Sequence, residues 1–160
     1  MESVYIETTI PSYLISKSNR DIVILGHQMI TQEWWNENRF DYHLFSSEIV
    51  LDEIKNGNPE NAQERFNIMK SIPLLRFHPD IKSLFFEYQK LFHFSEKQNV
   101  DFLHISYAVY YQMDFLLTWN CKHLANAQIQ SRLKAYNKIL GYNTPIICTP
   151  EELIEPTWEV

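Results

Sequence analysis

The hydrophobic residues of this chain fall into short uninterrupted runs separated by longer stretches with helical periodicity. Because the runs are apolar without alternating with polar residues, they are typical of strands buried on both faces of a sheet. Five such strands are predicted, at residues 4–6, around Phe45, and at residues 74–77, 115–118 and 146–148.

The stretches between these runs predict α-helices, because their apolar residues recur at three- and four-residue intervals. The predicted helices cover roughly residues 21–37, 47–56, 59–71, 79–92, 100–112 and 128–140. Gly57 and Gly141 lie where helices should end, and Pro59 and Pro79 where helices should begin. Alternating strands and helices predict an α/β fold, with a parallel sheet covered by helices on both faces and right-handed crossovers.

Length and composition indicate one ordinary globular domain spanning residues 1–160. Apolar residues make up 45% of the chain and charged residues 21%, which is typical of soluble proteins. The longest aliphatic runs, such as residues 22–25, are far too short to cross a membrane. The chain also enters its first strand without a basic flank or an apolar secretory segment, so we expect a cytoplasmic protein with no membrane association.

Four acidic or amide side chains occupy places that folding alone does not explain. Glu7 closes the first strand and Asn120 follows the fourth, whereas Glu53 and Asp101 intrude on the apolar faces of helices. An unpaired charge in such a place is costly and is normally neutralised. In parallel α/β sheets, ligands bind beyond the carboxyl ends of the strands, the edge where Glu7, Thr118 and Asn120 should lie. If the four converge, a divalent metal is the obvious compensating charge.

Helical phase separates Glu53 and Asp101 from the solvated acids, although each has a second interpretation. Glu53 falls inside the apolar arc formed with Val50 and Ile54, where it is either functional or a rim carboxylate paired to a base. Asp101 lies in the first turn of its helix, and its direction bisects those of Ile105 and Ala108 on the aliphatic face. It is therefore either functional or the helix N-cap, a position that Asp fills well.

Three neighbouring residues are also open to two interpretations. Asn120 could belong to the site or simply cap the short helix that follows it. His104, three residues after Asp101, borders the same helical face, and a hydrogen-bonded core histidine is the simpler alternative to a ligand. Trp119 either stacks on a base or is a packed indole.

The charge distribution suggests an anion-facing surface on an acidic body. The net charge of −6 argues against a protein that coats nucleic acid. Residues 115–150, however, contain no Asp or Glu and four basic residues, which is either such a surface or a chance gap in acids. Arg132 shares the apolar face of its helix and suits a core-edge arginine. Lys122, Lys134 and Lys138 remain candidate contacts to a phosphate backbone.

Glycine content excludes several other chemistries. With three glycines, the chain has no glycine-rich phosphate loop, dinucleotide fingerprint or Gly-x-Ser-x-Gly elbow.

Four segments together resemble the PIN-domain family, and within it the small VapC-type toxins of bacterial toxin–antitoxin pairs. They are VYIETTIPS at residues 4–12, SEIVLDEI at 47–54, DFLHISYA at 101–108 and LLTWN at 116–120. In order and spacing they match the family's acidic quartet, and the resemblance covers nearly the whole chain. It implies a three-layer α/β/α sandwich whose parallel sheet has the strand order 3-2-1-4-5. It also implies cleavage of RNA that depends on Mg²⁺ or Mn²⁺.

The resemblance also implies roles for the site residues. Glu7 and Asp101 are expected to hold the metal directly or through water, and Glu53 to hold a further water or a second ion. Thr118 and Asn120 are expected to orient water or phosphate. A small antitoxin protein is expected to occupy the acidic groove.

Two positions depart from the family pattern. Glu7 replaces the common aspartate, and Asn120 replaces an acid, which leaves three carboxylates instead of four. The alternative to an enzyme is therefore a catalytically weak or inactive PIN-like module that binds RNA or a protein partner. The aromatic content of 14% also leaves a homodimer open.

Overall fold

A computed structural model describes residues 1–15 and 17–158, and its centre is a sheet of five parallel strands. Their order is β3-β2-β1-β4-β5, which confirms the predicted arrangement. The strands are β1 (Ser3–Ile6), β2 (His43–Ser47), β3 (Leu74–Leu75), β4 (Phe115–Leu117) and β5 (Ile146–Cys148).

Seven α-helices, counted over the described residues, complete a three-layer α/β/α fold. They are α1 (Thr9–Ile15), α2 (Ile22–Glu33), α3 (Glu48–Ile54), α4 (Pro59–Met69), α5 (Pro79–Phe92), α6 (Asn99–Tyr110) and α7 (Ala127–Leu140). Six of them correspond to the predicted helices. The pattern gave no signal for α1, which is seven residues long and carries Pro11 in its first turn, where proline is tolerated.

The predicted boundaries needed small corrections. The helix predicted at 21–37 ends as an α-helix at Glu33 and continues as a π-helical turn, Trp34–Asn38, in which Trp34 is completely buried. The strand predicted at 74–77 pairs over Leu74–Leu75 alone. Helix α7 ends as predicted at Gly141, whose φ of 85° is the left-handed conformation that glycine adopts without strain.

The core lies on both faces of the central strand. Val4, Tyr5 and Ile6 of β1 are all fully buried, as are Leu116 and Leu117 of the adjacent β4. Burial on both faces explains why these strands are continuous apolar runs. No helix among the described residues is long and apolar enough to span a bilayer.

The two cysteines should differ sharply in reactivity. Cys121 is exposed, whereas Cys148 is buried at the end of β5, and burial raises the pKa of its thiol to about 12. A thiol-specific reagent at pH 8 should therefore modify one cysteine in the native protein and the second only after denaturation, because the thiolate is the nucleophile. Mass spectrometry of the labelled peptides identifies the site. Rapid native labelling of Cys148 would contradict the packing of β5.

Candidate metal site

The candidate site lies at the carboxyl ends of β1 and β4, which are neighbours in the sheet. Ile6 pairs with Leu117, so the next residues of the two strands, Glu7 and Thr118, stand side by side. The Thr118 hydroxyl donates a 2.7 Å hydrogen bond to the Glu7 carboxylate. This is the edge at which the sequence predicted a ligand site.

Glu7 is only 4% exposed, and three donors hold its carboxylate. Its Oε2 accepts from the Thr9 amide at 3.0 Å, from the Thr9 hydroxyl at 2.5 Å and from the Thr118 hydroxyl. Both hydroxyls are themselves oriented by backbone N–H groups. That of Trp119 donates to Thr9 Oγ1, and that of Asn120 donates to Thr118 Oγ1. The backbone that follows β4 thus fixes one oxygen of Glu7.

Glu53 reaches the site from α3, and two donors hold its Oε1. The Thr8 hydroxyl lies 2.5 Å away and His104 Nε2 lies 2.6 Å away. Burial alone raises the pKa of Glu53, but the hydrogen bond and charge of His104, with the hydrogen bond from Thr8, lower it below its usual value. Glu53 therefore does pair with a basic side chain, one of the two alternatives, and that side chain also belongs to the site.

His104 is completely buried in α6 and forms hydrogen bonds through both ring nitrogens. Its Nδ1 lies 2.7 Å from the Tyr5 hydroxyl, which lies 2.6 Å from the Ser47 hydroxyl. Burial raises the pKa of Tyr5 well above its usual value, so this hydroxyl keeps its proton. His104 is thus a hydrogen-bonded core residue, as one alternative held, but its partner is a carboxylate of the site.

Asp101 enters the site from the first turn of α6. Burial raises the pKa of its carboxyl, and the negative charges of Glu7 and Glu53 raise it further, while His104 and His123 oppose this. Asp101 is therefore close enough to Glu7 and Glu53 for their charges to repel its own. Gln98 occupies the N-cap of α6, so the capping interpretation of Asp101 is wrong.

Asn120 serves two purposes. Its Nδ2 donates to Asp101 Oδ1 at 3.2 Å, and its Oδ1 accepts from the His123 amide at 3.0 Å. The amide therefore both caps the turn after β4 and contacts a site carboxylate. The two alternatives for Asn120 therefore both correspond to contacts that its side chain makes.

In the part of the chain that the structure describes, each of the three carboxylates keeps one oxygen without a hydrogen-bond partner. Donors hold Glu7 Oε2, Glu53 Oε1 and Asp101 Oδ1, and the second oxygen of each has no hydrogen bond within residues 1–15 and 17–158. Over the same residues no Lys or Arg forms an ion pair with any of the three. Hard divalent cations prefer such oxygen ligands, so the donor set fits Mg²⁺ or Mn²⁺.

The compact group of potential ligands differs from the predicted pair. Glu7, Glu53 and His104 each offer one atom, and these atoms lie within 4.8 Å of one another. Asp101, which we expected to share the ion with Glu7, is not part of that group. It joins the site through its contact with Asn120 and its repulsion by Glu7 and Glu53. Its role as a metal ligand stays a prediction.

The predicted phosphate contacts are split between two ends of the sheet. Lys122 is exposed in the turn after Asn120. Lys134 and Lys138 instead line an open cavity of about 660 Å³ together with Phe115 and Ile146, the first residues of β4 and β5. That cavity is at the amino ends of the strands, so the structure does not bring these two lysines to the carboxylates.

Trp119 is a packed indole and not a platform for a base. It is 9% exposed, stacks on His27 at a ring distance of 4.0 Å, and donates its indole N–H to the Thr31 hydroxyl at 2.7 Å.

Comparison with known proteins extends the fold assignment. No protein-family model and no curated protein matches the chain. Among solved structures, it is similar to the crystal structure of VapBC2 from Rickettsia felis bound to a DNA fragment from their promoter. The TM-score is 0.55 with 18% sequence identity, over 92% of this chain and 98% of that chain. At this identity the likeness establishes a shared fold.

Replacing Asp101 by Asn should stabilise the metal-free protein. The variant keeps a side-chain oxygen that can accept the hydrogen bond from Asn120 Nδ2, but it removes a negative charge that the folded state disfavours. We expect the melting temperature in chelator to rise by about 2–4 °C at pH 7, which corresponds to about 1 kcal/mol.

The direction of this change in stability, and its dependence on pH, follow from the raised pKa of Asp101. Its destabilising charge is present above the folded-state pKa and absent below the ordinary Asp value of about 3.9, so the gain should vanish in acid. Asp52→Asn, on the exposed face of α3, is the matched control and should change little. If Asp101→Asn instead lowers the melting temperature at pH 7, other groups of the folded protein stabilise the Asp101 charge and the prediction is wrong.

Proposed function

We propose that this protein is a metal-dependent endoribonuclease of the PIN-domain type that hydrolyses phosphodiester bonds in RNA. The observation that carries the proposal is the cluster of Glu7, Glu53 and Asp101, each with one free oxygen and none with a Lys or Arg partner among the described residues. The shared fold and the four sequence segments that resemble PIN domains support it.

In this proposal Glu7 and Asp101 hold Mg²⁺ or Mn²⁺, directly or through water, with Glu53 beside them. When bound, such an ion lowers the pKa of its water and neutralises the charge that develops on the scissile phosphate.

The protein's own residues prepare the site for that chemistry. Thr9 and Thr118 fix Glu7 before any ligand arrives, which reduces the reorganisation required during reaction. Asp101 carries the fewest donors and a raised pKa, so its charge benefits most from a cation. We expect Lys122, which is exposed in the turn after Asn120, to contact a phosphate of the substrate backbone.

A protein partner is part of the proposal. The structurally similar VapBC2 is bound to a promoter DNA fragment. The VapC-type toxins that the sequence resembles are paired with antitoxins. We therefore expect a small antitoxin, in the cytoplasm, to cover the site formed by Glu7, Glu53 and Asp101. A homodimer stays a prediction.

The second candidate is a PIN-like module that binds RNA or a protein without cleaving it. Asn120 favours this function, because its neutral amide stands where the family has an acid and its N–H already satisfies one oxygen of Asp101. The two candidates differ in whether the site takes up metal.

Millimolar Mn²⁺ or Mg²⁺ should raise the melting temperature, because an ion that binds only the folded state stabilises it by mass action. The gain is about 2.7 kcal/mol at a hundredfold excess over Kd. Asp101→Asn should lose most of this gain, whereas Asp52→Asn should retain it. Cleavage of single-stranded RNA should require the same metal and stop in chelator. Unchanged melting in both metals would remove the metal site and favour the binding module.

Asn120→Asp should strengthen metal binding and speed RNA cleavage, because it adds a fourth charged oxygen next to Asp101. We expect about a tenfold gain in affinity, on the scale of about 1–3 kcal/mol for a contact to a charged group. The aspartate can still accept from the His123 amide, so the cap is preserved. Calorimetry and RNA cleavage at matched salt measure both effects. Equal affinity and equal cleavage in the two proteins would assign Asn120 to capping alone.

A further inference from the structure

Four buried or partly buried side chains form one continuous hydrogen-bonded chain behind the site. Ser47 at the end of β2 contacts Tyr5 of β1, Tyr5 contacts His104 of α6, and His104 contacts Glu53 of α3. The three heavy-atom distances are 2.6, 2.7 and 2.6 Å. Ser47, Tyr5 and His104 are each completely buried, so bulk solvent does not reach the first two of these bonds. Glu53, at the end of the chain of bonds, is partly exposed.

The direction of the bond to Glu53 follows from its chemistry. An ionised carboxylate can only accept, so His104 Nε2 must carry the proton in the bond to Glu53 Oε1. This holds for the neutral Nε2–H tautomer and for the imidazolium alike. A nitrogen that donates a proton has no lone pair for a metal, although His104 lies within reach of a shared ion.

We propose that His104 is a positioning residue that fixes Glu53 for metal and phosphate, and that Tyr5 and Ser47 fix His104 in turn. This inference rests on the proposed function, because it assumes that Glu53 faces a bound metal ion or the water of that ion. His104 and Thr8 together saturate Glu53 Oε1, which leaves Oε2 as the oxygen that faces the ion or its water. Because both nitrogens of His104 are engaged, the ring cannot turn without breaking a buried bond.

The arrangement links the site to the interior of the sheet. Outer hydrogen-bond partners of metal-site residues typically affect metal affinity about 10–100-fold. The Tyr5 hydroxyl bonds to Ser47 and His104, and among the described residues it bonds to none of the site carboxylates. Its loss should therefore weaken metal binding through His104 alone.

Tyr5→Phe is the informative variant, because it removes one oxygen and leaves the aromatic ring in the core. Tyr88→Phe is its matched control. Tyr88 is also fully buried, and its hydroxyl donates a 2.6 Å bond to Asn137, between α5 and α7. We expect Tyr5→Phe to lower Mn²⁺ affinity about tenfold and Tyr88→Phe to leave it unchanged, measured by electron paramagnetic resonance of free Mn²⁺.

Variants of His104 separate positioning from ligation. His104→Gln keeps an N–H donor for Glu53 and should bind Mn²⁺ more tightly than His104→Phe, which has none. Pulsed electron paramagnetic resonance of the Mn²⁺-loaded wild type should show no directly coordinated nitrogen. A coordinated histidine nitrogen, or equal Mn²⁺ affinity in wild type and folded Tyr5→Phe, overturns the inference while leaving the proposed function intact.

A measurement made without metal tests the role of His104 even if the wild type binds no Mn²⁺ and the proposed function fails. Nitrogen-15 NMR of the His104 ring should show Nε2 protonated and its proton protected from exchange with water. Tyr5→Phe should reduce that protection, whereas Tyr88→Phe should not. An unprotonated Nε2 in the wild type would overturn the assignment of His104 whatever the metal result.

Discussion

The site depends on one electrostatic constraint: three carboxylates share a partly desolvated sheet edge without a Lys or Arg partner in the described chain. Such charges are costly unless hydrogen bonds or a cation stabilise them. The fold supplies donors unequally, with three to Glu7, two to Glu53 and one to Asp101. The pKa of Glu53 is lowered and that of Asp101 is raised, in keeping with this gradient. Asp101 is therefore the group whose charge most needs an external cation.

The topology of the sheet makes this arrangement possible. Because β1 and β4 are neighbours although more than 100 residues separate them, Glu7 and Thr118 meet directly. Helices α3 and α6 then bring Glu53, Asp101 and His104 to the same edge. The bonds of Ser47, Tyr5 and His104 connect both helices to strands β1 and β2. The stability of the core and the geometry of the site thus rely on some of the same side chains.

Many features of the fold and of the site could be predicted from the sequence, because the patterns that indicate them are local. Apolar runs located the strands, and helical phase separated Glu53 and Asp101 from the solvated acids. The resemblance to PIN domains supplied the strand order. The link between Tyr5 and His104 could not be predicted, because a tyrosine in an apolar strand gives no sign of where its hydroxyl points. The uneven distribution of charge along the chain suggested Lys134 and Lys138 as phosphate contacts, but charge does not reveal which end of a strand a helix face adjoins.

The most direct test of this account is a crystal structure of the wild-type protein grown with Mn²⁺, using anomalous scattering to locate the ion. The account predicts an anomalous peak among the free oxygens of Glu7, Glu53 and Asp101, with His104 still bonded to Glu53. A well-ordered crystal with no peak there at millimolar Mn²⁺, or with a lysine ammonium between the carboxylates, would contradict it.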